Sequence, residues 1–257
     1  MKPLFVRLFI AELLKIKRSG FYLILIGFPL LILIIYSYFC ISVFKQGYQE
    51  VFKGCILVFT LISPFTIGLS VCKFLDIEKK CGNFHELLSA YLGRRRQLSI
   101  KISFYIFIYW ISSIFIFSLL ILFLHLIYNI KCIEWIFLLS ILYILLITQL
   151  MTICYSFFIY FQFKRSYLLA ISIISVLLNA LLMTPLGNGL WFYFPSAWSS
   201  ILTHYFYVET QILNMPFVKC LTIVHEHIFY ILLVTLLTFI SILYWFGYFE
   251  KQRFKAS

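Results

Sequence analysis

A few residues in this sequence are of types that carry chemistry, and their spacing decides what chemistry is open to them. His225-Glu226-His227 sets two imidazoles around a carboxylate. Positions i and i+2 of a helix point different ways, however, and the H-E-x-x-H spacing of a helical zinc site is not met. Gly187-Asn188-Gly189 is a turn signal; no third glycine completes a dinucleotide fingerprint, and no strand pattern precedes it. No G-x-x-x-x-G-K-[ST] phosphate loop occurs, so the chain is not expected to hydrolyse ATP alone. The seven cysteines include no C-x-x-C pair. Cys40, Cys55, Cys72 and Cys154 fall in apolar runs, where a thiol behaves as a small apolar side chain. No paired carboxylates and no nucleophile–base set fall within those runs. The expectation is therefore no catalytic residue, no cofactor and no metal on this chain.

The densest charge lies in Asp76–Lys101, "DIEKKCGNFHELLSAYLGRRRQLSIK", between two apolar runs. Asn83 followed by Glu86 resembles a capping box, with Asn in the place of Ser or Thr. Phe84, Leu87, Leu88 and Tyr91 recur at i, i+3, i+4 and i+7, one stripe of a helix. Gly93 suits the left-handed residue that closes a helix, and Arg94–Arg96 complement its negative end. The spacing predicts a helix over 84–92, about 13 Å long at 1.5 Å per residue and too short to span a membrane. Its oily face could rest on lipid headgroups, on the chain's own helix ends, or in a partner's groove.

The elements around this stretch follow from composition. Of 257 residues 63% are hydrophobic and 12% charged, against about 25% charged in soluble domains; the mean hydropathy is +1.03. Apolar runs of about twenty residues cross a ~30 Å hydrocarbon core, and in lipid they must be helical to satisfy their own backbone. Six are predicted: 21–44, 55–75, 102–128, 135–161, 167–186 and 228–249. The expected fold is one all-α integral membrane domain. The first run is too long for the apolar core of a signal peptide. Ahead of it, Arg7, Lys15 and Arg18 cluster opposite Leu4, Phe5, Leu8, Phe9 and Leu13, as in a helix lying in the interface. Residues 187–227 hold Gly187, Gly189, Pro195, Trp191 and Trp198 and read as an outer interfacial or re-entrant segment rather than a seventh span.

Of the 21 Lys and Arg residues, all but Lys45, Lys53, Lys131 and Lys219 fall on one side of this topology. Positive residues mark the cytoplasmic face, so both termini are expected there. The formal charge of +12 is accounted for by topology, and no nucleic-acid partner is expected. Within the spans the only Asp, Glu, Lys or Arg is Lys73, which argues against an ion-coupled carrier with a charged path. Gln149 and Asn179 are expected to bridge helices.

The order "ELLKIKRS", a first span, then "ISPFTIGLSVCKFLDIEKKCGNFHELLSAYLGRRRQLSIK" resembles the permease subunits of ABC-2 type transporters, and among them those of lantibiotic self-protection (immunity) transporters. The matching positions are Glu78, Gly82, Phe84, Leu87, Leu88, Arg94 and Lys101. The resemblance implies that 84–92 is a cytoplasmic coupling helix, with Glu78, Gly82, Asn83, Phe84, Glu86, Leu87, Leu88 and Tyr91 engaging an ABC ATPase subunit present in two copies. The carboxylates and arginines would set register at the rim of that contact. It further implies an N-terminal elbow helix, an outer re-entrant segment, a second permease chain of the same or related sequence, and a bacterial plasma-membrane location. The cargo it implies is a lantibiotic-type antimicrobial peptide expelled from the membrane to protect the producer. A different cargo, such as a drug or lipid, or a non-transporting scaffold are the alternatives.

Overall fold

The structure is a computed structural model that describes residues 4–17, 19–45, 47–80, 93–128, 135–187, 189–212 and 216–247. The predicted coupling helix, 84–92, and Gly82 and Asn83 before it lie outside the described residues. So does Cys132.

All described secondary structure is helical. Helix α1 covers Leu4–Ile16, α2 Phe28–Ser42, α3 Tyr48–Lys80 and α4 Arg94–Tyr128. Then come α5 Trp135–Phe163, α6 Arg165–Leu182, α7 Trp198–Tyr207 and α8 Phe217–Gly247. Three single 3₁₀ turns, Pro185–Gly187, Trp191–Tyr193 and Pro195–Ala197, lead into α7. Among the described residues, six helices are long and apolar enough to cross a membrane: Leu23–Ser42, α3, α4, Ile136–Phe163, α6 and Lys219–Gly247.

Proline positions follow from backbone chemistry. Pro29 stands in the first turn of α2, where its missing N–H has no partner to lose. Pro64 lies inside α3 and cannot donate to the carbonyl of Thr60 four residues back. The Ser63 hydroxyl donates to that carbonyl instead, at 2.7 Å. An orphaned acceptor in an apolar span is thereby satisfied from the adjacent residue.

The helices are not equivalent. In the apolar stretches of α3 and α5, 67% of residues are buried, against 28% for α2 and 22% each for α6 and α8. So α3 and α5 form the centre and the others surround them. Two clusters of buried side chains divide the bundle along its length. One joins Ile16, Phe21, Phe74, Phe104, Tyr105, Phe157 and Phe246; the other joins Phe52, Phe59, Phe117, Phe137, Trp198 and Phe206. The first marks the proximal end, where α1 sits, and the second the distal end. At the proximal end Phe9 of α1 meets Phe104 edge-on at 4.9 Å, and the Arg95 guanidinium lies 4.8 Å from the Tyr244 ring centre.

At the distal end α7 is drawn into the bundle. Trp198, Leu202 and Phe206 form an i, i+4, i+8 stripe that is almost wholly buried, and Ser199, Ser200 and Thr203 beside them are buried too. Their hydroxyls cause no penalty where helix carbonyls accept them, as Ser200 does to Ala197 and Thr203 to Ser199. The Trp198 indole N–H donates to the Phe192 carbonyl at 3.1 Å, and the Tyr207 hydroxyl to the Gln49 carbonyl at 2.8 Å. The last helix starts at Phe217, ahead of the apolar run predicted from 228, so the final part of the predicted outer segment, residues 217–227, is helical and continuous with it.

Candidate functional site

At the proximal end four charged side chains meet, two from the N-terminal segment and two from the ends of the Asp76–Lys101 stretch. The Lys101 ammonium of α4 lies 2.6 Å from the Glu78 carboxylate of α3 and 3.2 Å from the Glu12 carboxylate of α1. Lys15 of α1 completes the set, 3.5 Å from Glu12 and 3.7 Å from Glu78. Lys101 and Glu78 are close to inaccessible, at 3% and 5% side-chain exposure. Among the described residues the cluster sets two ammoniums against two carboxylates, and buried charge is tolerable when it is paired in this way.

Local helix electrostatics do not account for the arrangement. Glu78 stands in the last turn of α3, at the negative end of the helix dipole, where a carboxylate is disfavoured. Its stabilisation is tertiary and comes from Lys101 and Lys15. Only the Glu12–Lys15 spacing, i and i+3 on one helix, is a local pair. The cluster therefore works as a joint between α1, α3 and α4. It binds together the helix that enters residues 81–92, the helix that leaves them, and the N-terminal helix.

A second polar knot sits on the same turn of α3. Asp76 accepts a hydrogen bond from the Tyr160 hydroxyl of α5 at 2.7 Å and pairs with Arg165 of α6 at 3.0 Å. Successive helix residues are ~100° apart, so Asp76 and Glu78 point to nearly opposite sides of α3. One faces α5 and α6, the other α1 and α4.

Deeper in the bundle a seam of hydroxyls and one amide joins the central helices. Ser70 of α3 bonds to Tyr105 of α4, and the Tyr109 hydroxyl donates to Gln149 Oε1 of α5. Asn179 of α6 donates to the Ser196 carbonyl at 2.9 Å. Gln149 and Asn179 bridge elements as expected of polar residues within apolar helices. No group of three or more His, Cys, Asp or Glu able to hold a metal occurs among the described residues. His227 instead packs against the rings of Trp191 and Phe192. Cys40, Cys55, Cys72, Cys154 and Cys220 are buried free thiols.

Of the residues expected to engage a partner, the structure places Glu78 in the buried cluster; Gly82, Asn83, Phe84, Glu86, Leu87, Leu88 and Tyr91 lie outside the described residues. Gly93, which follows them, has φ +85°, the left-handed conformation expected of a residue at a helix end. Sequence reading did not assign Glu12, Lys15, Asp76, Tyr160 or Arg165 to any site. The Glu12–Lys15 spacing was the one signal available. Comparison with known protein families, curated proteins and solved structures finds no match to this chain.

Proposed function

We propose that this chain is the membrane-spanning permease subunit of an ATP-driven exporter of the ABC-2 type. In this reading it sits in a bacterial plasma membrane with both termini cytoplasmic. It works with two ATPase copies and a second permease chain, and expels a lantibiotic-type antimicrobial peptide that threatens its producer. The observation that supports the reading best is the Glu12–Lys15–Glu78–Lys101 cluster. A segment that receives work from a motor must pass it to both flanking helices, and this joint grips both of them beside residues 81–92. Burial of its Lys101–Glu78 pair means that movement of either helix end shifts the other and α1 with it, because an unpaired buried charge is costly. The buried α7 suits a re-entrant helix closing the outer end of a path, and exposed Leu13 and Leu14 on α1 suit a helix lying on lipid.

Two measurements test the reading. The chain is co-expressed with a candidate ATPase, extracted in detergent and purified. Retention of the ATPase by the natural chain, and its loss when Leu87 and Leu88 are both changed to Asp, is the expected result; retention by the double variant refutes the coupling role. Deletion of the chain with the ATPase still expressed is expected to sensitise cells to the peptide, and unchanged sensitivity refutes the protective role.

A further inference from the structure

The connection between α5 and α6 is a single residue, Lys164, with φ 77° and ψ 174°. That region of backbone space is almost exclusive to glycine, because a Cβ there crowds the flanking carbonyls. A lysine persists in it only if its surroundings hold it. What holds it is on the central helix α3. The two oxygens of Asp76 reach across the strained turn, one accepting from Tyr160 before it and the other pairing with Arg165 after it. The Cys72 thiol, one turn back on α3, approaches the Arg165 carbonyl at 3.8 Å.

The helix beyond the turn packs closely along α3, but through one face only. Only Leu168, Ser172, Ser175 and Asn179 of α6 are buried, one narrow stripe against the bundle, whereas Ile173, Ile174, Leu177 and Leu181 are more than half exposed. Its distal end is tied by the Asn179–Ser196 bond. We propose that the α5–α6 hairpin is a spring-loaded hinge, with Asp76 as its latch. While the carboxylate spans the turn, Lys164 is kept in its unfavourable conformation and the proximal end of α6 lies against α3. When the latch opens, the turn relaxes and the exposed first turn of α6, ahead of the buried Leu168, loosens from α3. Because Asp76 and Glu78 share one turn of α3, a displacement that strains the four-charge joint also loads the latch. The hinge is a property of the isolated chain and does not depend on a motor partner or a cargo.

The test is a double-mutant cycle on the full chain in lipid nanodiscs, using Asp76→Asn, Lys164→Gly and the two combined. Amide hydrogen exchange over residues 165–170 and the thermal midpoint are the readouts. Asp76→Asn is expected to speed exchange by about tenfold, by releasing a strained local structure. Lys164→Gly removes the strain, so its midpoint rises by roughly 2 °C or more. In the Lys164→Gly background, Asp76→Asn is expected to speed exchange by about threefold or less, since little strain is left to drive opening. Equal acceleration in both backgrounds, no acceleration with Asp76→Asn alone, or a lower midpoint for Lys164→Gly each overturns the proposal. None of these outcomes bears on whether an ATPase binds.

Discussion

The Lys101 ammonium and the Glu78 carboxylate meet at 2.6 Å between α4 and α3, with both side chains nearly inaccessible. Lys101→Met leaves Glu78 and Glu12 to share the more distant Lys15 ammonium, an under-compensated buried charge that costs about 3–5 kcal/mol. The double change Lys101→Met with Glu78→Leu is expected to recover most of that loss, because an apolar pair of similar volume needs no compensation. Thermal unfolding of the three proteins in one detergent measures both. A single variant as stable as the natural chain contradicts the burial of this pair.

The contact between α3 and α6 depends on the absence of a side chain at Gly68. A Cβ there would lie 1.9 Å from Ser172 Oγ and 2.8 Å from Ser172 Cβ. The hydroxyl can rotate away but the Cβ cannot, so Gly68→Ala forces the helices apart and is expected to destabilise by about 1–3 kcal/mol. Adding Ser172→Gly opens the space again and restores part of the stability, whereas Ser172→Ala restores less. Denaturation midpoints of the three variants and the natural chain decide it.

His204 on α7 gives the molecule a pH dependence. Burial, with Lys53 nearby as a second cause, holds its imidazole below the ordinary value of 6.5. The folded state therefore favours the neutral ring, and near and below pH 6.5 the unfolded chain binds the proton more readily. This stabilisation is fully present above pH 6.5 and is lost as pH falls through the folded value. The thermal midpoint is expected to drop between pH 7.5 and 5.5, with a shallower drop in His204→Gln. A midpoint that rises on acidification, or a slope that the variant leaves unchanged, contradicts the assignment.

Asn179 ties α6 to the Pro195–Ala197 turn through the Ser196 carbonyl, and the residue is fully buried. Asn179→Leu deprives that carbonyl of its donor. A loss of about 1–3 kcal/mol is expected, accompanied by faster protease cleavage in the exposed stretch around Tyr193. Unchanged cleavage and stability would mean that the carbonyl finds another donor.

The six apolar helices were legible because a run of about twenty apolar residues has few other solutions in lipid. What escaped was pairing across long sequence distance. Lys101 lies at the border of a predicted span and was counted with the cations that set topology, yet it is buried between two carboxylates 23 and 89 residues earlier in the chain. No periodicity encodes such a contact. The early start of α8 was hidden for a different reason. Lys219, His225 and Glu226 gave the stretch a polar look, but they occupy the exposed side, while Cys220, Val224, Ile228 and Ile231 form a buried stripe. That i, i+4, i+8, i+11 pattern was in the sequence and would have revealed the helix. The site residues in 82–91 rest on capping, periodicity and resemblance and lie outside the described residues; of those expected to engage a partner, only Glu78, ahead of that stretch, has its surroundings described.

Helix α4 runs for 35 residues without an internal proline or glycine, roughly 52 Å at 1.5 Å per residue. Its neighbour α3 is nearly as long but carries a break in its hydrogen-bond ladder at Pro64. The pair is thus one stiff rod beside one with a compliant midpoint. A tilt of ~5° about its middle moves each end of a rod of that length by about 2 Å, in opposite directions. A small push at Arg94 therefore arrives undiminished near Tyr128, on the far side of the molecule, while along α3 the same push is partly absorbed at the proline.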